Sequence, residues 1–534
     1  MLAPALLLGA GQPIEPQITP PMAKSAGIMN ETPNRWFVEL ASKPAAEGTT
    51  KKALKQEQKA FRAAAKKAGL KYKERYAFGT LFNGLSVQIE PAQLGTLSRI
   101  PGVKALYPVV SVSVPENVAA NPDLFTAISM TGADIVQNEM GYTGEGIKVA
   151  VMDTGIDYDH PDLGGCFGDG CRVAFGYDLV GDDYGTGDNP PVPDDDPDDC
   201  QGHGTHVAGI VGANGTVVGV APDVTFGAYR VFGCEGSTDA DIMIAAMEMA
   251  LADGMDVLNM SIGSAFWGWP QYPTAAASDR LVNKGVVVVA SIGNSGASGT
   301  FAAGAPGVGK KVIGVASFDN TNVFLPYFEV DDSKIGYVEM SFAGPTPTSG
   351  MEDYVYIGRA CNVTEGDTLL DDPTGKAALI SRGACSFNEK ATFAIDSGAT
   401  SVVIHNSSPG VFNGTLGSEI DGTTPVVGIS LEDGMFMRDE ALVPTLTWTD
   451  QKTSSPNPTG GLIASSRSYG LAADLSLKPD IGAPGGSIYS TYPLEKGGYA
   501  TLGGTSMASP HVAGGVALYL QAHPKTNSQV MRRI

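Results

Sequence analysis

Three side chains, far apart in the chain, have the types and settings of a hydrolytic relay. Asp153 directly follows the apolar run IKVAVM (147–152), which places a carboxylate where a strand ends. His203 lies in GHGTHVAGIVG, a Gly-flanked histidine opening a helical pattern. Ser506 lies in GGTSMASPHVAGGVALYL (503–520), at the start of an uncharged, small-residue helix. A serine hydroxyl is a weak nucleophile until a base takes its proton. A histidine can do so near neutral pH, and a buried carboxylate fixes the tautomer and stabilises the imidazolium. A helix start offers unpaired N–H groups and a dipole that favour developing negative charge. Pro510 is expected early enough in that helix for its missing N–H to cost little.

Those groups need elements that bring them together. The β-branched runs at 147–152, 224–231, 256–261, 286–291 and 312–317 alternate with helical patterns at 205–213, 238–252 and 273–284. This predicts a parallel, doubly wound α/β sheet, whose sites form at the carboxyl ends of the strands. Residues 335–460 break the alternation and are richer in Thr, Gly and acids, which predicts a β-rich insertion. The α/β texture resumes near KPDIGAPGG (478–486). Upstream, residues 35–115 read as strand, helix (51–69, stopped by Gly69), strand, helix, strand, a pattern that fits a ferredoxin-like α+β unit. Residues 116–140 read as a linker and an entering helix.

The order Asp, His, Ser matches the subtilisin solution rather than the chymotrypsin or α/β-hydrolase orders. The blocks VAVMDTGIDYDHPDL (149–163), GHGTHVAGIV (202–211) and GTSMASPHVAG (504–514) resemble the three signatures of subtilisin-like serine proteases. ASIGNSG (290–296) resembles the family's oxyanion block and assigns the side-chain amide donor to Asn294. LNMSIGS (258–264) resembles the strand beside bound substrate. By that resemblance Ser261, Gly263, Ser264 and Ser291 contact substrate. Residues 35–115 resemble an inhibitory propeptide, and 340–455 a protease-associated domain of large secreted subtilases. The resemblance therefore implies a leader at 1–34, a propeptide at 35–115, a catalytic domain at 116–339 and 456–534, and an insert at 340–455. It implies a secreted endopeptidase acting on peptides through an acyl-enzyme, with its own propeptide as inhibitor. The rival is a catalytically silent binding protein that uses the insert.

Other side chains have plainer expectations. His206 packs inward, and His160 and His511 hydrogen-bond structurally. Ser509 is expected to bond back to a helix carbonyl. The acidic run DDYGTGDNPPVPDDDPDD (182–199) reads as a solvated loop, with calcium or basic substrate residues as the functional alternatives. No cofactor is expected. Structural calcium is doubtful, because the link GANGTVVGVAP (212–222), next to an aspartate that matches Asp162, is short for a calcium-binding subtilase. Members usually continue with another helix and strand after QVMRRI, so the end of the fold is expected to be cut short.

Charge divides the chain. Residues 1–115 hold 15 Lys and Arg against 7 Asp and Glu, a balance of +8; the rest hold 20 against 50, a balance of −30. Two such parts attract one another, and the acidic body argues against a nucleic-acid partner. No apolar run is long enough to span a membrane. MLAPALLLGA resembles a secretion leader without the usual basic start, and a frayed terminus stays open as the alternative. Six cysteines permit three disulfides in any of about 15 pairings. No CxxC motif points to thiolate-bound zinc. Sequons at Asn30, Asn214, Asn362, Asn406 and Asn413 fit a secretory pathway, while the one at Asn259 sits in an apolar strand.

Overall fold

The computed structural model describes residues 34–113, 124–186 and 189–534. The leader and the sequon at Asn30 lie outside the described residues.

The first unit is built from β1 (Arg35–Leu40), α1 (Lys51–Lys67), β2 (Tyr72–Phe78), β3 (Gly84–Ile89), the short α2 (Leu94–Leu97) and β4 (Val103–Pro108). Its antiparallel sheet has the order β2-β3-β1-β4. The sequence pattern omits β2. That strand, YKERYAF, lies at the sheet edge with one residue buried and the rest half-buried or exposed, so no apolar alternation marks it. The alternation of β1 sorts its side chains to two sides. Val38 and Leu40 meet Phe61 and Ala65 of α1. Phe37 faces the other way, into a cluster with Phe78, Phe82, Met243, Met247 and Tyr272. The sheet is thus covered on one face by its own helix and on the other by the next domain.

After β5 (Ser111–Ser113), α3 (Leu124–Thr131) and α4 (Ala133–Asn138), the chain enters the main sheet. Its strands are β6 (Lys148–Asp153), β7 (Val173–Asp178), β8 (Thr225–Arg230), β10 (Val257–Met260), β11 (Val287–Ser291), β12 (Ile313–Asp319) and a last strand Ile481–Gly486. The order is Ile481–Gly486, β12, β11, β10, β6, β8, β7, and every neighbouring pair is parallel. Helices α5 (His203–Gly212), α6 (Ala240–Ala252), α7 (Pro273–Asn283) and, after the insert, α10 (Thr505–Ala522) cover it. Strand β9 (Ser237–Asp239) stands apart and pairs with β5. Burial on both faces explains why β6, β10 and β11 are nearly continuous Val, Ala, Leu and Met.

The insert is spliced between two adjacent strands of this sheet, β12 and Ile481–Gly486. It begins upstream of the 340 boundary, because β13 (Asn322–Val330) pairs with β20 (Thr445–Pro456). Between them lie β14 (Ser333–Gly336), β15 (Val338–Glu339), β16 (Gly350–Tyr356), β17 (Ala377–Ser381), α8 (Phe387–Asp396), β18 (Ser401–His405), β19 (Val426–Ile429) and α9 (Leu431–Asp439). The eight strands form one sheet. Strands β16 to β19 are parallel, so this region is mixed α/β rather than purely strand. Its runs AALIS, SVVIH and VVGI are short and apolar because α8 and α9 help bury them.

Three disulfides select one pairing: Cys166–Cys171, Cys200–Cys234 and Cys361–Cys385. Asn214, Asn362 and Asn413 are exposed. Asn406 is 3% exposed and its Nδ2 donates to the Gly410 carbonyl, so burial withdraws this sequon along with Asn259. No helix among the described residues is long and apolar enough to cross a membrane.

Two buried histidines record how the catalytic domain is packed. His206 Nε2 lies 3.0 Å from the Ile488 carbonyl, and burial pushes its basicity down to about 3. His511 Nε2 lies 2.8 Å from Thr131 Oγ1, and burial lowers it to about 4. Both fold as neutral rings, whereas an unfolded histidine titrates near ~6.5. Between those values the unfolded chain binds more protons. Their contribution is therefore complete above ~6.5 and is lost as pH falls toward 4, at about 1.4 kcal/mol per pH unit for each ring. Thermal unfolding followed at pH 7 and pH 4.5 should show a smaller acid loss in His511→Gln than in the parent. An unchanged loss would contradict this account.

Candidate active site

Asp153 ends β6 and is completely buried. Its Oδ1 accepts from the Thr154 amide at 2.9 Å and lies 2.7 Å from His203 Nδ1. His203 is the first residue of α5 and is 1% exposed. Since Nδ1–H donates to the carboxylate, Nε2 is left as the acceptor, and it has no protein partner.

The start of α5 is held by a residue of the acidic run, which the sequence pattern predicts to be a solvated loop. Asp199 is 1% exposed. Its Oδ1 accepts from the amides of Gln201 and Gly202, and its Oδ2 from the amide and hydroxyl of Thr205, at 2.6–2.9 Å. It thus caps the helix ahead of the conventional position. An acid shortly before a Gly-flanked helix start is a capping signal that could have singled it out. The Cys200–Cys234 disulfide ties the same approach to the chain leaving β8. Most of the remaining acidic run is exposed. Among the described residues, one group of three candidate ligands comes together: Asp182, Cys200 and Cys234. Its two sulfurs are joined to each other, so it offers a metal no thiolate.

Ser506 is the second residue of α10 and is 3% exposed. Asn259 of β10 lies opposite Val151 of β6, the last paired position of these strands, and Ser261 lies two residues beyond it. Ser261 and Ser506 are joined twice. Ser261 Oγ donates to the Ser506 carbonyl at 2.7 Å, and Ser506 Oγ donates to the Ser261 carbonyl at 3.2 Å. Pro510 lies more than one turn into the helix, later than expected. Its missing N–H is the one that would have bonded the Ser506 carbonyl, and Ser261 supplies the substitute donor. Ser509 bonds Asn259 Oδ1 at 2.6 Å rather than a helix carbonyl, and Asn259 Nδ2 donates to Ser261 Oγ at 3.1 Å. A buried chain of polar groups thus fixes the turn that presents Ser506. It could not be found from spacing, because its members come from two distant segments.

Asn294 follows β11 and is exposed. Its Oδ1 accepts from the Thr505 amide and hydroxyl, each at 2.9 Å, which aims Nδ2 away from those donors. Gly504 has φ +141, and a Cβ there would come within 2.8 Å of Asn294 Nδ2. Only glycine keeps this approach open. An amide held beside the N-terminus of a helix is the kind of donor that an oxyanion site uses. Losing such a donor lowers kcat by about 10²–10³ in subtilisin. Asn294→Ala should lose a similar factor, with KM little changed, in steady-state peptide hydrolysis.

The expected substrate contacts divide. Gly263 and Ser264 are half-buried and run beside the 304–306 segment, with the Ser264 amide 3.2 Å from the Ala305 carbonyl. A Cβ on Gly263 would lie 3.6 Å from the Ser291 carbonyl, so Gly263 and Ser291 are neighbours. The side chain of Ser261 is fully buried and turned to Ser506, not to solvent. His160 bonds the Gly498 carbonyl. Asp162 Oδ2 accepts from the Val217 amide and the Tyr499 hydroxyl, each at 3.0 Å. Two donors thus fill Oδ2 of this carboxylate.

Comparison with known proteins gives the family. A profile of the Subtilase family matches residues 144–534. The chain is 36% identical over 522 residues to the minor extracellular protease Vpr of Bacillus subtilis (strain 168), covering 91% of this chain and 60% of that protein. It is 30% identical over 525 residues to the PI-type proteinase of Lactococcus lactis subsp. cremoris, covering 85% of this chain and 26% of that one. It therefore spans less than two thirds of these curated relatives. The psychrophilic subtilisin-like protease Apa1 from Pseudoalteromonas sp. AS-11 superposes with a TM-score of 0.47 at 19% identity, over 76% of this chain and 90% of that one. With its Asp, His and Ser blocks inside the matched region, the chain belongs to the subtilase family.

Proposed function

We propose that this protein is a secreted serine endopeptidase of the subtilisin type, made as a self-inhibited zymogen. Ser506 attacks the peptide carbonyl, and His203 takes the proton at Nε2 and returns it to the leaving amine. Asp153 holds the imidazole, and Asn294 with the Ser506 amide receives the oxyanion. The observation that carries this is the buried 2.7 Å Asp153–His203 pair with Nε2 left as a free acceptor.

Residues 35–115, with their ferredoxin-like strand order, act as the propeptide. Arg35 and Arg75 pair with Asp239, and Arg75 also with Asp241, while Arg280 of the acidic body pairs with Glu47. The amides of Thr80 and Leu81 donate to Glu248 at 2.9 and 2.8 Å. Strand β5 extends β9 antiparallel, as a peptide laid along an edge strand does. The insert, in the role of a protease-associated domain, leaves the main sheet at the carboxyl edge that holds the triad, and serves there as an accessory to substrate access.

A fluorophosphonate probe tests the reading. The parent should be labelled and Ser506→Ala should not. Failure to label either would favour the silent binding protein.

A further inference from the structure

Asp239 and Asp241 carry more charge than their surroundings can satisfy alone. Their side chains are 2% and 0% exposed. Asp239 Oδ2 accepts from Arg35, from Arg75 Nη2 at 2.7 Å and from the Tyr184 hydroxyl at 2.8 Å, while its Oδ1 accepts from Ser111 Oγ at 2.9 Å. Asp241 takes Arg75 Nε at 2.7 Å and Nη2 at 3.2 Å, and the Ile242 amide at 3.1 Å. Both guanidinium groups and Ser111 belong to the first unit. Once that unit leaves, Asp239 keeps Tyr184 and Asp241 keeps an amide, and neither keeps a cation. Two neighbouring carboxylates without a counter-ion favour any cation that can reach them.

The setting determines which cation that is. Asp239 ends β9, a short strand that follows β8, and β8 lies beside the strand bearing Asp153. Strand β5 pairs with β9 in the register Ser111↔Asp239, Val112↔Thr238, Ser113↔Ser237. A peptide that takes the place of β5 puts one residue opposite Asp239. Even the short Ser111 side chain reaches the carboxylate from there. An arginine or lysine at that position has the length to reach both acids, and arginine can pair bidentately, as Arg75 does now.

We infer that Asp239 and Asp241 form a subsite for a basic side chain of the peptide substrate, filled in the zymogen by Arg35 and Arg75 and opened when the N-terminal unit is released. This deepens the protease reading and rests on it. The subsite makes one upstream substrate position selective for Arg or Lys.

The test uses the full chain after self-processing to constant activity, and a peptide library randomised at each position upstream of the cut. One position should be enriched in Arg and Lys. A matched Arg and Gln peptide pair should differ about tenfold in kcat/KM, a factor that corresponds to about 1.4 kcal/mol. The ratio should fall toward one in Asp239→Asn and in Asp241→Asn. In the parent it should also fall as salt rises, which covers the case in which neither variant folds. Cleavage with no basic preference, or a ratio unmoved by salt and by both variants, overturns the subsite while leaving the protease intact. No cleavage and no fluorophosphonate labelling would overturn both.

Discussion

Ser506→Ala is expected to lower kcat for peptide hydrolysis by about six orders of magnitude. Subtilisin loses about 2 × 10⁶ in kcat when its serine is removed, and what remains comes from binding and the oxyanion donors. The position itself should accept alanine well. Ser506 contributes one long hydrogen bond through its hydroxyl, at 3.2 Å, while its carbonyl keeps the 2.7 Å bond from Ser261. Thermal unfolding should therefore shift little while activity disappears, and that separation distinguishes a lost nucleophile from a damaged fold. A second consequence follows if the chain processes itself. The alanine protein should stay full length on a denaturing gel while the parent loses its N-terminal unit. Retention of hydrolysis within tenfold of the parent would remove Ser506 from the mechanism.

Asp153→Asn should cost about 10⁴ in kcat. The loss for subtilisin's aspartate is about 3 × 10⁴, and the same exchange in trypsin costs about 10⁴ because it imposes the wrong imidazole tautomer. The geometry gives the reason here. Asp153 Oδ1 receives both His203 Nδ1–H and the Thr154 amide. An asparagine carries no charge to stabilise the imidazolium, and with its NH₂ group at the shared Oδ1 position it offers the ring a donor. Nδ1 must then accept, Nε2 must carry the proton, and no base faces Ser506. The fold should persist, because shape and burial barely change. Steady-state kinetics should show the loss in kcat with KM nearly constant. Equal kcat for the two proteins would mean that His203 is oriented by other contacts, such as the cap made by Asp199 and Thr205.

The first unit shows how charge acts between two parts of one chain. Two of its cations, Arg35 and Arg75, meet Asp239 and Asp241 at the joint. The attraction is not a simple basic-on-acidic pairing, since Arg280 and Glu47 form a pair of the opposite sense. Apolar packing fixes the orientation: Phe37, Phe78 and Phe82 close on Tyr272, Met243 and Met247. Net charge thus accounts for the approach of the two surfaces, and these side chains for their register.

The sequence by itself determined the parallel sheet, because β6, β10 and β11 are buried on both faces and must be written in apolar, β-branched residues. It also determined Asp153, His203, Ser506 and Asn294 as candidates, because each stands at the end of such an element in a long, specific block. It missed β2, whose edge position removes the pattern, and the onset of the insert at β13, whose partner β20 is more than a hundred residues away. Tertiary structure alone decided which cysteines pair, which sequons are buried, that Asp199 caps α5, and that Ser261 replaces the hydrogen bond Pro510 cannot make. All of these depend on groups distant in sequence meeting in space. Periodicity reports what a residue's own element requires, and it carries no information about what the opposite side of the core supplies.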